Sequence, residues 1–191
     1  ARPTHAFLGL SPGLDFETQI FMKPDAPRLL REALSHPDYL CSTIVVGTAT
    51  DAYQPFERKE RLMRALLEVF LETRHPVSVV TKSSLIVRDL DLWAELAQRK
   101  LAHVGISLTT LDGALARQLE PRASAPHARL EAMRSLSDAG IPVSAFVSPL
   151  IPGLTDKELE KLLAAARDNG ATSAGYTLLR LPHEVAGRSE E

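Results

Sequence analysis

One cysteine, Cys41, and one tryptophan, Trp93, are all that the 191-residue sequence has of either, and Phe, Tyr and Trp together make up only 5%. A single thiol excludes a disulfide framework and excludes a thiolate metal cluster drawn from these residues alone; it points to a reducing, cytoplasmic setting. Long apolar runs are missing as well. None nears the roughly 20 residues that a membrane-spanning helix requires, so no membrane partner is expected. No glycine-rich loop ending in Lys-Ser or Lys-Thr occurs, and no glycine fingerprint follows an apolar run, which disfavours nucleotide hydrolysis and Rossmann-type dinucleotide binding. The six histidines are scattered without metal-ligand spacing. A formal net charge of -2 supplies no bulk attraction for nucleic acid.

What is present is ordinary globular material, 45% hydrophobic, enough for one domain with a sizeable core. Five short runs rich in β-branched residues, "TIVVGT" (43–48), "VSVVT" (77–81), "VGISL" (104–108), "VSAFV" (143–147) and "AGYTLL" (174–179), read as strands buried on both faces. Helical patterns lie before and between them, over 24–35, 57–74, 88–100, 127–140 and 155–170. Asp25 caps the first, Gly140 ends the fourth, and Thr155 with Glu158 forms a capping box for the fifth. Strict alternation of strand and helix predicts a parallel sheet with right-handed crossovers, in a doubly wound sheet or in a closed or partial (β/α) barrel. Either architecture places its chemistry at the carboxyl ends of the strands.

Polar or basic residues follow every strand. Thr48, Thr50 and Asp51 follow the first, and Lys82 the second, where it can pair with a ligand carboxylate or form a Schiff base. Ser107 ends the third and alternates with apolar neighbours, so it points inward. Beyond it, Glu120 and Arg122 flank a proline as an ion pair of the solvated kind. The stiff stretch "SPLIPGLTD" follows the fourth strand, and Arg180 the fifth. His103, at the entry of a strand, reads as structural, and Cys41 as a buried structural thiol. A concave mouth lined in this way is the default ligand site. Three readings stay open at this level: an enzyme built on a bound cofactor, a Schiff-base lyase or aldolase barrel using Lys82, and a non-catalytic binding barrel.

The segments "ARPTHAFLGLSPGLDFE", "GTATDAYQPFER", "VSVVTKSSLIVRDLDLW", "SLTTLD", "LEPRASAP", "RLEAMRSLSDAGIPV", "SPLIPGLTD" and "AGYTLLRLP" occur in that order. Together they resemble the radical S-adenosylmethionine proteins, in the branch related to spore photoproduct lyase and DNA repair photolyase-like proteins. The resemblance covers Ala1 to about Pro182. It implies an α/β fold, a partial (β/α)6 barrel of parallel strands, with residues 1–182 as the barrel core and 183–191 as a polar tail. Five of its strands are visible, and the first strand and the CxxxCxxC cluster loop are expected upstream of Ala1; the chain as given is therefore expected to be inactive.

The resemblance further implies a 4Fe-4S cluster and S-adenosylmethionine as cofactors, reductive cleavage to methionine and a deoxyadenosyl radical, and a reductant such as flavodoxin or ferredoxin. DNA is among the substrates it suggests. On the same basis Thr48, Thr50 and Asp51 hold the methionine amino group, and Lys82 and Ser107 its carboxylate. Adenine lies against the loop containing Ile151 and Gly153, with Asp156 as the acid of that motif, and Arg2 and His5 flank the cluster.

Overall fold

The computed structural model describes residues 19–180 together with Gly9. Arg2 and His5 lie outside the described residues. A first helix, α1 (Ala26–Leu34), precedes a repeating unit. Strand β1 (Ile44–Val46) leads to the short α2 (Glu57–Glu60) and to α3 (Leu62–Thr73). Strand β2 (Val77–Thr81) is followed by a 3-10 turn over Ser84–Asp89 and α4 (Leu90–Gln98). Strand β3 (Ala102–Ser107) is followed by α5 (Gly113–Leu119) and α6 (Pro126–Asp138). Strand β4 (Val143–Leu150) precedes a 3-10 turn over Asp156–Glu158 and α7 (Leu159–Asp168), and β5 (Ser173–Leu178) completes the described sheet.

All neighbouring strands are parallel, and their order in the sheet is their order in the chain. That order separates the two architectures the alternation allowed. A doubly wound sheet reverses its strand order at a switch point. Here every crossover advances in one direction, and uniform right-handedness then puts all the helices on one face and leaves the other concave. The helix-side core holds Val77, Val79, Val104, Ile106, Val143 and Ala145 from the strands. Met63, Leu67 and Phe70 of α3, Trp93 and Leu96 of α4, Met133 and Leu136 of α6 and Leu162 of α7 pack onto it.

The concave face is layered. Near the amino ends of the strands runs a polar row: Ser78 Oγ lies 3.4 Å from His103 Nδ1, His103 Nε2 2.8 Å from Ser144 Oγ, and Ser144 Oγ 2.5 Å from Ser173 Oγ. His103 is therefore structural, as expected. Above the row, the ring of Phe146 spans the space between two glycines. A Cβ on Gly105 would stand 2.4 Å from Phe146 Cε2, and one on Gly175 3.3 Å from Cε1. Lys82 and Ser107, two residues beyond Val80 and Gly105, follow on the same face at the mouth.

Several local expectations are corrected. The helix expected over 57–74 breaks at Arg61, which takes a left-handed conformation (φ 51°) between α2 and α3. Asp25 makes no side-chain cap bond; a proline in the first turn of α1 needs no donor satisfied there. The capping box of Thr155 and Glu158 does not form, because Thr155 Oγ1 accepts from Ile151 N at 2.9 Å and Glu158 turns to another loop. Cys41 is exposed, because it precedes β1 in a segment that packs little, so it is not the buried thiol its apolar character suggested. Helix α5 was not anticipated; it is started by Asp112, whose Oδ1 accepts from Ala114 N (2.7 Å) and Leu115 N (3.2 Å).

The Phe146 seat gives a direct test. Gly105→Ala is expected to destabilise the chain by about 1–3 kcal/mol through overpacking against the ring. Combined with Phe146→Leu it should cost less than the sum of the two single changes. Urea unfolding of the three variants measures this, and strict additivity would mean that the ring does not fill the space above Gly105.

Candidate functional site

At the carboxyl ends of the strands the connecting loops are laced together by carboxylates. β1 turns out through Gly47, whose φ of 93° and whose absent Cβ, which would otherwise sit 2.1 Å from Val80 O, leave no room for another residue. Thr48 and Thr50 follow, exposed on the rim. Asp51 folds back: Oδ1 accepts from Tyr53 N (2.8 Å) and Thr81 Oγ1 (2.6 Å), and Oδ2 from Lys82 N (2.7 Å). Asp51 thus clips the loop after β1 to the end of β2.

A buried ion network holds the same loop from behind. Asp89, fully buried, takes Arg88 through Nε (2.9 Å) and Nη2 (2.6 Å) and Arg64 Nη1 at 3.3 Å. Arg88 also donates to Glu57 O, while the Glu57 carboxylate accepts from Met63 N in the first turn of α3. Tyr53 Oη accepts from Trp93 Nε1 at 2.9 Å, and burial pushes the Tyr53 phenol well above its usual range. Arg64 in turn holds Asp91 at 2.7 Å, which keeps that carboxyl down at about 2.

The second clip is Glu120. Its Oε1 accepts from Lys82 Nζ and, at 3.1 Å, from Thr109 Oγ1; its Oε2 accepts from Arg129 Nη2 at 2.7 Å. Arg129, 2% exposed, also donates through Nη1 to Ser107 O (3.0 Å) and through Nε to Ser124 O (2.7 Å). Burial pushes the Glu120 carboxyl up, but Lys82 and Arg129 together outweigh it and hold the group below its ordinary value. The Lys82 side chain remains 34% exposed at the mouth, with buried Ser107 on the next strand.

The third clip is Glu158, which accepts from Thr110 Oγ1 and, at 3.2 Å, from Leu111 N, and so ties the loop after β4 to the loop after β3. Ile151 and Gly153 lie in that loop, half-buried and exposed, with Gly153 at φ 78°. Asp156, expected as the acid of this loop, is exposed, and the interloop contact belongs to Glu158.

The structure thus places Thr48, Thr50, Asp51, Lys82, Ser107, Ile151 and Gly153 around one end of the sheet, with Asp51, Lys82 and Ser107 in one connected network. Sequence reasoning missed Glu120 as the partner of Lys82 and missed Arg129 altogether. The signal was available in principle, since a lysine at the end of a buried strand needs a counter-ion. No group of three His, Cys, Asp or Glu side chains that could hold a metal ion exists among the described residues, and Cys41 stands alone. These residues do not fit a 4Fe-4S cluster. Among the described residues no helix is long and apolar enough to cross a membrane.

The depressed Glu120 fixes the sign of a pH effect. Its stabilising contribution is present above the pH at which the unfolded glutamate titrates, near 4.3, and is lost as pH falls through the lower folded value. Glu120→Gln is expected to cost about 2 kcal/mol at pH 7, the size of a hydrogen bond to a charged group, and its deficit against the parent chain should shrink at pH 3. Urea midpoints at the two pH values check this; an equal deficit at both would mean that the charge of Glu120 contributes nothing.

Comparison with known proteins carries the geometry further. An uncharacterized protein of Mycobacterium tuberculosis is 37% identical over 189 residues, covering 98% of this chain and 56% of its own length. An uncharacterized protein of Methanocaldococcus jannaschii is 30% identical over 139 residues, 73% of this chain and 50% of its own. The chain therefore spans about half the length of the curated relatives it matches. Among solved structures, a spore photoproduct lyase mutant superposes with a TM-score of 0.57 at 16% identity, over 76% of this chain and 41% of that one. Streptococcus suis SuiB bound to S-adenosylmethionine gives 0.55 at 18% identity, over 80% and 32%. These likenesses are of fold, the partial barrel of radical S-adenosylmethionine enzymes. The description of the radical SAM superfamily itself matches residues 14–166, and the chain belongs to that superfamily.

Proposed function

We propose that the mouth at the carboxyl ends of the strands binds S-adenosylmethionine and that the whole protein uses it for radical chemistry. The single observation that carries this reading is the charge at Lys82. Lys82 and Arg129 share one carboxylate, Glu120, and of these two cations it is Lys82 that reaches the surface, its side chain 34% exposed against 2% for Arg129. A buried carboxylate from a ligand needs such a partner, because an ion without one is costly to desolvate. Ser107, on the adjacent strand, offers a hydroxyl to the same group.

The other residues fall into place around this anchor. Thr48 and Thr50 present hydroxyls on the rim, and Asp51, whose two oxygens are already oriented by three donors, presents fixed negative charge toward an ammonium. The loop through Ile151 and Gly153, pinned by Thr155 and Glu158, forms a stiff wall against which a planar adenine can lie. Cluster chemistry supplies the one-electron step in this superfamily. The described residues offer no set of ligands for a cluster, so in our reading their part is to bind and orient the ligand. A flavodoxin- or ferredoxin-type donor and a DNA substrate are the partners the reading suggests, and residues 1–182 act in it as one barrel core.

A Schiff-base role for Lys82 is less well supported. Its nitrogen is engaged by Glu120, so attack on a carbonyl would first have to break that contact. The test is Lys82→Ala in the full-length protein, with S-adenosylmethionine binding measured by calorimetry. A charge-assisted contact of this type is worth about 1.5–3 kcal/mol, so affinity should fall roughly ten- to a hundredfold. Unchanged affinity would remove Lys82 from the site.

A further inference from the structure

We propose that Glu120 is a resident counter-ion at the mouth, a positioning residue that sets how strongly Lys82 holds a ligand carboxylate. This rests on the reading that Lys82 meets the carboxylate of the ligand. Glu120 is not a surface acid that happens to touch a lysine. Its side chain is 11% exposed, and it is fixed from behind by the buried Arg129 and from the side by Thr109, so it cannot swing away when a ligand arrives. Lys82, in contrast, is one-third exposed and has further N–H donors to offer.

Glu120 then competes with the ligand for Lys82. With the ligand absent, the ammonium already meets one carboxylate, which is itself shared with Arg129. An incoming carboxylate therefore meets a cation that is partly neutralised and partly used up as a donor. Glu120 weakens the hold of Lys82 on an incoming carboxylate, and a ligand without one does not feel this competition. It acts on the ligand through Lys82, from which it also draws part of the ammonium's hydrogen-bonding capacity.

The decisive feature is the sign of the effect. A residue that merely supports the fold weakens binding when it is changed, whereas removing a resident counter-ion strengthens binding of a competing anion. In calorimetric titrations of the full-length protein with S-adenosylmethionine, Glu120→Gln is expected to bind about five- to tenfold more tightly than the parent. Decarboxylated S-adenosylmethionine should show no tightening. In a Lys82→Ala background the effect of Glu120→Gln should vanish. Thr109→Val, which leaves Glu120 Oε1 wholly to Lys82, should move affinity the other way, about two- to threefold weaker, and it tests the same point if Glu120→Gln fails to fold. Equal weakening of both ligands by Glu120→Gln, or an effect that persists without Lys82, would overturn the counter-ion role while leaving the site itself intact. If neither ligand binds the parent protein, the reading of the mouth falls together with this one.

Discussion

A guanidinium with 2% of its surface exposed has no water to solvate it, and Arg129 stands in that position on α6. Leaving such a charge unmatched would cost several kcal/mol. It is met on three sides, by Ser124 O, Ser107 O and Glu120 Oε2. Each of those partners belongs to a different piece of the mouth. Ser107 is the end of β3, Glu120 closes α5, and Ser124 receives the chain after it. Ser124 in turn donates its N–H to Lys82 O and accepts from Ser84 N through its hydroxyl, so the end of β2 is drawn in as well. Satisfying one buried cation thus fixes the relative positions of Lys82 and Ser107, the two residues on which the proposed carboxylate subsite depends.

This dependence explains what was legible in the sequence and what was not. The strands were legible because β-branched residues crowd into short runs that are buried on both faces, and all five runs became strands. The barrel-like order was only half legible. Alternation dictates parallel pairing, but the choice between sequential and reversed strand order lies in long-range packing that no local pattern records. Helix ends were the least legible. Asp25, Thr155 and Glu158 have the right residue types for caps, yet Thr155 turned back to Ile151 N within its own loop and Glu158 found a tertiary partner, and each contact outcompeted the capping bond.

The site shows the same division. Lys82 and Asp51 were visible because the one follows β2 directly and the other lies in the short polar stretch after β1, and their setting at the mouth is a matter of chain geometry alone. Glu120 and Arg129 were not, because they lie 38 and 47 positions beyond Lys82 and their sequence neighbourhood reads as a polar turn and an amphipathic helix. Arg122 stands near Glu120 in the chain, while Lys82, just past the end of β2, and Arg129 on α6 reach Glu120 from far along the sequence. Sequence proximity is a weak guide to ion pairing wherever the fold can offer a buried partner.

The three carboxylates at the rim follow one rule. Asp51 joins the loop after β1 to β2, Glu120 joins the end of β2 to the loop after β3, and Glu158 joins the loop after β4 to the loop after β3. Each spans one gap between consecutive strands, and each accepts at least one backbone N–H or buried hydroxyl in addition to any charge it meets. Loops at the open end of a barrel have few apolar contacts of their own, so directional bonds must supply the order that packing supplies elsewhere. Carboxylates suit the task because two oxygens accept from several donors at once. The arrangement also biases the mouth. With three acids committed to holding loops, the part-exposed ammonium of Lys82 is the charged group of this network that can still meet an anion from outside. The position of a carboxylate-bearing ligand then follows from how the loops are held together, and the polar row of Ser78, His103, Ser144 and Ser173 lies beyond Phe146 at the other end of the concave face.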